Sequence, residues 1–279
     1  MSRLSSNELL AGIAAGETNL SARALLLAAH PDDETIGASA FLGRSSDSTV
    51  IFLTDGAPRD QKLRSPHVSG SREMYALVRA EEAACALALV GVPGSRISFL
   101  NTVDQEAIFE IDRLVQQFAD AAQRIAPDLV MTHSYEGGHP DHDAAALVAH
   151  LGIWELQRRG VRPPHVLEFT SYHAVNGRRV AGEFLPRNVS WQAPQEVRLT
   201  LTREERARKA RMMGCYLSQW HVLSEFPLEP ERVRVAPVYD FTQPPHPGPL
   251  WYECLHWPLT GKKWREIAAG LLPEQRAAA

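Results

Sequence analysis

The feature that most constrains the fold is an alternation, over the first two thirds of the chain, of short apolar runs with longer stretches of helical periodicity. The run at 24–29, Ala-Leu-Leu-Leu-Ala-Ala, has no polar alternation, which is typical of a strand covered on both faces. Similar runs lie at 49–53, 97–100, 128–132 and 165–170, and helical patterns occupy 71–90, 106–125 and 143–159. In the first helical pattern, Met74, Leu77 and Leu87 belong to a predicted apolar face.

Repeated strand, helix and strand units predict an α/β fold of the Rossmann-like kind. We expect a mostly parallel sheet with helices on both faces and a C-terminal accessory segment. The whole chain, 1–279, is predicted to be a single domain with its core at about 22–170 and an accessory or lid segment at about 171–279. In that segment, Asn176-Gly177 predicts a hairpin turn, and a capping box at 202–205 predicts a helix that runs to about Trp220.

Charge and composition restrict the partners that the chain can have. A net charge of -4 gives no electrostatic reason to expect nucleic acid or an anionic membrane surface. No targeting segment or bilayer-spanning stretch is found, so we expect a cytoplasmic location. The cysteines, Cys85, Cys215 and Cys254, are far apart and lie in apolar surroundings, which predicts buried free thiols. Association into a homo-oligomer stays open.

Two motifs rich in histidine and aspartate follow predicted strands, where ligands bind in sheets of this kind. His30 and Asp33 stand three residues apart, so both can reach one ion, and His142 completes a His-His-Asp set from a second loop. Three nitrogen and oxygen ligands leave a fourth position for water, as in catalytic zinc sites. We therefore predict one Zn²⁺ per chain, with another divalent metal as the alternative.

Other roles compete for some of these residues. His133, at the end of the fourth strand, is an alternative ligand to His142, which we prefer because it shares its loop with Asp141. Asp32, Asp33 or Glu34 could instead cap the helix that follows. The recurrence of a His-Pro-Asp tripeptide at two strand ends favours a site over a cap.

The remaining motif residues suit the hydrolysis of an amide bond. Asp32 lies between two ligand positions and can take a proton from water and deliver it to a leaving nitrogen. His139 can stabilise the oxyanion of a tetrahedral intermediate. Asp141 is placed to hold one of the histidines in the required tautomer.

These residues also carry a family resemblance. The segments at 29–34 (Ala-His-Pro-Asp-Asp-Glu) and 138–142 (Gly-His-Pro-Asp-His) resemble the two signature motifs of the PIG-L/LmbE-like zinc-dependent N-deacetylases, an N-acetylglucosaminyl deacetylase-like family. The resemblance implies a Rossmann-like fold and hydrolysis of an N-acetyl group on a glucosamine-containing substrate. It also implies that His30, Asp33 and His142 are the zinc ligands, that Asp32 is the general base, and that Asp141 supports His139.

The resemblance extends, less specifically, to residues expected to bind substrate. Arg79 and Asp104 match positions that contact sugar hydroxyls in the family, although a helix-face salt bridge and a helix cap are the alternatives. Tyr135 and Glu136 belong to a short loop that is expected to shape the pocket and face the substrate. Tyr216 stands where relatives often carry a histidine, a departure that bears on the choice of sugar.

The sequence thus predicts a zinc-dependent hydrolase that removes an N-acetyl group from an amino sugar or a related small glycoside. The expected partner is a small N-acylated molecule, with a sugar as the expected class. One alternative is a metal-dependent amidase that cleaves a larger acyl group or a conjugate. The other is a metal- or sugar-binding module without catalysis, against which Asp32 argues because binding alone needs no extra carboxylate.

Overall fold

A computed structural model describes residues 5–16, 22–185 and 196–272. Helices cover a seven-stranded sheet on both faces, and two further strands form a hairpin. The strands are β1 (Ala24–Ala28), β2 (Ser48–Thr54), β3 (Ile97–Thr102), β4 (Leu129–His133), β5 (His165–Phe169), β6 (Tyr172–Val175), β7 (Arg178–Ala181), β8 (Glu196–Leu199) and β9 (Glu231–Val235). The helices are α1 (Ser6–Ala15), α2 (Asp33–Arg44), α3 (Arg72–Ala88), α4 (Ile111–Ile125), α5 (Pro140–Arg158), α6 (Arg203–Cys215), α7 (Trp220–Leu223), α8 (Trp251–Cys254) and α9 (Gly261–Ala269).

The central sheet has the strand order β3-β2-β1-β4-β5-β9-β8. The first five strands pair in parallel, whereas β9 is antiparallel to both β5 and β8. This arrangement confirms the predicted Rossmann-like, mostly parallel α/β fold. Because β8 and β9 come from the predicted accessory segment, that segment also extends the central sheet.

Strand β1 shows why the sheet needs helices on both faces. Leu26 packs into the core that includes residues of α2, α3 and α6, while Leu25 and Leu27 pack into the core that includes residues of α4, α5 and α9. All three leucines are fully buried. Burial of one such side chain stabilises the fold by about 1.5–3 kcal/mol, so a run of apolar residues favours this central position.

The hairpin predicted at Asn176-Gly177 is confirmed between β6 and β7, and both turn residues have positive φ angles (52° and 74°). The predicted apolar face of α3 is wrong at Met74 and Leu77, although Leu87 is buried as predicted. Met74 and Leu77 are 52% and 58% exposed, and the buried face instead includes Tyr75, the charged Arg79 and a second charged residue, Glu82. Helical spacing alone cannot show that a buried face is polar.

Two predicted helix boundaries are also wrong. Helix α5 begins at Pro140 rather than at 143. Proline is tolerated at the start of a helix because the N–H that it lacks would have no partner in the first turn. Helix α6 ends at Cys215, and a short 3₁₀ turn separates it from α7.

Cysteine exposure differs from the expectation. Cys85 is exposed, and Cys215 and Cys254 are half-buried, although all three are free thiols as expected. Apolar sequence neighbours did not reveal which side of each helix would face solvent. Among the described residues, no helix is both long and apolar enough to cross a membrane.

Candidate active site

The two motifs meet at the carboxyl ends of β1 and β4. His30 lies two residues after the end of β1, Asp33 begins α2, and His139 is the N-cap of α5 with His142 in its first turn. Because neighbouring parallel strands end at the same edge, both loops reach one cavity of about 760 Å³. Its polar lining includes His30, Asp32, Asp33, Arg79, Asp104, His139 and His142.

The three predicted ligands are buried and adjacent. Asp33 lies between two imidazoles, with Oδ2 3.2 Å from His30 Nδ1 and Oδ1 3.1 Å from His142 Nε2. Within the part of the chain that the structure describes, three overlapping sets have donor atoms close enough to hold one ion. They are His30-His139-His142, Asp33-His133-His142 and His30-Asp104-His139-Asp141. His30 and Asp33 are in contact but fall in different sets.

Protonation states around Asp33 fit a bound cation. Burial opposes ionisation of Asp33, but His142 and His133 outweigh it and hold the pKa of this carboxyl well below its usual range. Burial, reinforced by His30, lowers the pKa of His139 well below its usual range, which leaves that ring neutral. Burying an ionised carboxylate costs free energy unless a cation pairs with it. A donor set of buried imidazoles around this carboxylate therefore suits a divalent ion.

His30 is the exception to this pattern. Burial lowers its pKa, but Asp104, Asp141 and Asp33 outweigh burial and raise the pKa well above the usual value. A histidine must lose this proton to bind a metal, so metal uptake would release it.

His133 is less suited than His142 to bind an ion in the cavity. Its Nε2 accepts a hydrogen bond from the backbone N–H of Ala29 at 3.1 Å and lies 3.3 Å from Asp33 Oδ2. Its ring stacks on His142 at 4.1 Å between centroids, and it is absent from the cavity lining. The bond from Ala29 occupies the nitrogen lone pair that a metal would need.

Asp32 is not a helix cap. It occupies the N-cap position of α2, yet its side chain makes no cap hydrogen bond. Its carboxylate instead pairs with Arg79, with Nη2 3.0 Å from Oδ2. Burial raises the pKa of Asp32 to about 6, against the opposing effect of Arg79. A carboxylate with a pKa near neutrality is suited to take up and release a proton.

Glu34 and Tyr216 support Asp32, and the sequence analysis missed both roles. Asp32 has a φ angle of 127°, and its backbone N–H donates to Glu34 Oε2 at 2.9 Å. The Tyr216 hydroxyl donates to Glu34 Oε1 at 2.5 Å, and both side chains are fully buried. The signal was present, since Glu34 lies in the first motif and Tyr216 departs from the family pattern, but their contact joins distant parts of the chain.

His139 and Asp141 are held in place by backbone groups. His139 Nδ1 accepts a hydrogen bond from the N–H of Asp141 at 3.1 Å, which leaves the proton of the neutral ring on Nε2. The Asp141 carboxylate accepts from the N–H groups of Gln105 and Ala107 and lies 3.2 Å from His30 Nε2. It is 4.0 Å from His139 Nδ1, so it is closer to His30 than to His139.

Two of the four predicted substrate-binding residues line the cavity. Asp104 Oδ1 lies 3.2 Å from His30 Nε2 and 3.7 Å from His139 Nε2, and it caps no helix because Glu106 and Glu110 occupy the next N-cap positions. Arg79 is 2% exposed and also donates to the carbonyl of Pro31. Its guanidinium is thus already engaged with the loop that carries Asp32.

The other two lie outside the cavity lining. Tyr135 packs in the core against Phe241 and Trp264, and its hydroxyl donates to the carbonyl of Gln243. Glu136 is 3% exposed and accepts a hydrogen bond from the N–H of Leu185. Residues from the C-terminal segment therefore cover this loop and give both side chains a structural role.

The structure is that of a Rossmann-like α/β protein with a cluster of histidines and carboxylates that could hold a metal ion at the carboxyl edge of its sheet. A family model, PIG-L, described as GlcNAc-PI de-N-acetylase, matches residues 25–151. This segment contains both motifs and all the predicted ligands. Over residues 25–151 the chain therefore matches the PIG-L family, which confirms the resemblance seen in the motifs.

Among curated proteins, a 1D-myo-inositol 2-acetamido-2-deoxy-alpha-D-glucopyranoside deacetylase of Corynebacterium glutamicum is 28% identical over 155 residues. The match covers 48% of this chain and 53% of that protein, so it spans about half the length of the relative.

Two solved structures share the fold. The zinc-inhibited form of teicoplanin deacetylase has a TM-score of 0.56 at 16% identity, covering 76% of this chain and 97% of that one. N,N'-diacetylchitobiose deacetylase from Pyrococcus horikoshii has a TM-score of 0.54 at 16% identity, covering 79% of each chain. At these identities the likeness establishes the fold alone.

Proposed function

We propose that this protein is a zinc-dependent hydrolase that removes the N-acetyl group of an amino sugar or a related small glycoside. The observation that carries the proposal is that Asp32 lies in one cavity with the predicted ligands His30, Asp33 and His142. The matched relatives are deacetylases, and one of the structures is a zinc-inhibited form. We propose one zinc ion per chain and a cytoplasmic site of action.

His30, Asp33 and His142 would hold the ion, which supplies polarisation of the amide carbonyl and a lower pKa for water. Asp32 accepts the proton of the attacking water and then delivers it to the departing nitrogen. Neutral His139 donates its Nε2–H to the oxygen on which negative charge develops. Asp141 positions His30, since its carboxylate lies against Nε2 of that ring.

The size of the cavity bears on the substrate. At about 760 Å³ it lies in the upper part of the usual range for small-molecule sites, about 300–1,000 Å³. Asp104 can accept hydrogen bonds from sugar hydroxyls next to the metal centre. The lining also has an apolar part, formed by Ile36, Val222, Phe226, Trp251, Leu255 and Trp257. We propose an acetamido sugar near the metal centre with its aglycone against this apolar part.

The same apolar part favours a second candidate, the amidase that cleaves a larger acyl group. The aromatic residues Tyr172, Phe226, Trp251 and Trp257 line the cavity, whereas Tyr135 and Trp220 do not. An acyl chain and an aglycone bury apolar surface in the same way, so the cavity shape alone does not separate the two.

A comparison of acyl groups on one sugar separates the candidates. Zinc-loaded protein is incubated with N-acetylglucosaminides and with their N-octanoyl analogues, and the released acid is measured, with the Asp32→Asn protein as the blank. We expect acetate release, with kcat/KM at least about tenfold higher for acetyl than for octanoyl, which equals about 1.4 kcal/mol of discrimination. Faster release of octanoate would favour the amidase, and release of neither acid would contradict both candidates for this class of sugar.

A further inference from the structure

Two cysteines that are 130 residues apart in the sequence meet outside the cavity. Cys85 lies near the end of α3 and Cys215 is the last residue of α6, and their sulfur atoms are 3.0 Å apart. Two sulfur atoms in van der Waals contact lie farther apart than this, and a disulfide bond needs an approach of only about 1 Å more. We propose that Cys85 and Cys215 are a redox-sensitive thiol pair that closes reversibly to a disulfide.

The surrounding structure holds the two sulfur atoms in place. Glu82, one turn before Cys85, accepts hydrogen bonds from the N–H and the hydroxyl of Ser218 at 2.7 and 2.6 Å. These bonds dock α3 onto the segment that follows Cys215. Closure therefore needs little rearrangement, which is the condition for a disulfide that stabilises rather than strains a fold.

The two thiols differ in solvent exposure, which assigns them different roles. Cys85 is exposed and can be reached by a small oxidant, while Cys215 is half-buried. Burial, with the adjacent Cys85 thiol, raises the pKa of Cys215 to about 12, so Cys215 is a poor first nucleophile. Cys85 is thus the attacking thiol and Cys215 the resolving one. Free thiol pairs in reducing compartments, when they do oxidise, commonly serve as redox sensors.

The oxidant is a low-molecular-weight disulfide. The Cys85 thiolate attacks one sulfur of that molecule, releases its other half as a thiolate and forms a mixed disulfide. Cys215 then attacks the sulfur of Cys85, and the second half leaves with the proton of Cys215. Two protein thiols become one disulfide, and the two electrons reduce the small disulfide to two thiols.

Closure would join α3, which carries Arg79, to the residue before Tyr216. Both of these side chains hold the Asp32 loop, so the crosslink lies behind the wall of the cavity that supports Asp32. Because it also closes a long loop, it removes conformational freedom from the unfolded chain. We expect the melting temperature to rise on the order of 10 °C.

Oxidised glutathione is the probe, and the zinc-loaded full chain is the protein. Thiols are counted by alkylation after denaturation, and peptide mapping locates the bond. We expect the number of free thiols to fall from three to one. A disulfide-linked Cys85–Cys215 peptide pair should appear, which dithiothreitol reduces, and the melting temperature should rise. Three remaining thiols, a bond that includes Cys254, or an unchanged melting temperature after closure would overturn the proposal.

Single variants test the order of the steps. Cys215→Ser should trap the mixed disulfide on Cys85, whereas Cys85→Ser should leave Cys215 unmodified. Cys254→Ser is the matched control and should still close the pair, with its thiols falling from two to none. Should a serine variant not fold, the alanine variant of the same residue replaces it. Glutathione found on Cys215 in the Cys85→Ser protein would contradict the assigned order.

Discussion

At the scale of single residues, the proposed chemistry depends on how Asp32 is held. Its φ angle of 127° is unfavourable for a residue with a side chain and costs on the order of 1–3 kcal/mol. Contacts from Glu34 to its backbone and from Arg79 to its carboxylate maintain this conformation. The result is a carboxylate that lies beside Asp33 yet is free of capping, as a general base requires.

Replacement of Asp32 by asparagine should leave the fold and the metal content unchanged while turnover falls about 10²–10⁴-fold, the usual effect of removing a placed acid or base. Asparagine tolerates positive φ and still accepts a hydrogen bond from Arg79, so the loop is kept. Steady-state kinetics with elemental analysis check this result. Near-normal turnover in Asp32→Asn would show that Asp32 is not the base.

Arg79→Lys should lower kcat by about 10–100-fold and change KM less, because the guanidinium already binds Asp32 and the Pro31 carbonyl. A lysine offers a single point charge and cannot hold both acceptors. Arg72→Lys is the matched control, since Arg72 lies on the same helix as Arg79 but pairs with Asp55 rather than with Asp32. A raised KM with unchanged kcat would instead assign Arg79 to the sugar.

The ligand assignment predicts different metal contents for the alanine variants of two stacked histidines, His142 and His133. Purified His142→Ala should lose the ion, whereas His133→Ala should retain it, since Nε2 of His133 is engaged with the N–H of Ala29. Elemental analysis of the two variants against the parent protein tests this. Full occupancy in His142→Ala with loss in His133→Ala would reverse the assignment.

At the scale of elements, the position of α2 depends on close contact with β5. A Cβ atom at Gly37 would meet the Phe169 ring at 2.2 Å and the Thr170 carbonyl oxygen at 2.8 Å. Because α2 begins at Asp33, this contact also sets how deeply the first motif lies in the cavity. Gly37 thus positions the helix and, through it, a predicted ligand.

Gly37→Ala should therefore reduce the free energy of unfolding by about 1–3 kcal/mol through overpacking. Gly214→Ala in α6 is the matched control: its Cβ would meet no atom within 4 Å, and alanine is up to about 1 kcal/mol better than glycine in a helix. Urea unfolding of the two variants measures the difference. Equal stabilities would show that α2 can move away from β5 at no cost.

Local sequence patterns predicted many of the secondary-structure elements. The runs that became β1 to β5 and the turn at Asn176-Gly177 are signals carried by neighbouring residues. The polar face of α3 was missed because Arg79 and Glu82 are buried by Asp32 and Ser218, from other elements. Periodicity reports which residues share a face and not what that face contacts.

At the scale of the whole molecule, sheet topology assembles the site. A predicted parallel sheet places the two motif loops, which are distant in sequence, at the same edge. The observed pairing of β1 with β4 then brings His30 and His142 together. The position of Tyr135 could not be predicted in this way. Phe241 and Trp264 cover its ring and belong to a C-terminal segment that has no such regular pattern.

We propose that the cavity performs metal-dependent deacetylation, and acetate release by one preparation in two metal states is the decisive measurement. Protein stripped with a chelator should release no acetate from an N-acetylglucosaminide, and about one equivalent of zinc per chain should restore release. Circular dichroism on the stripped protein confirms that its fold is intact. Undiminished acetate release by the folded, metal-free protein would contradict the account.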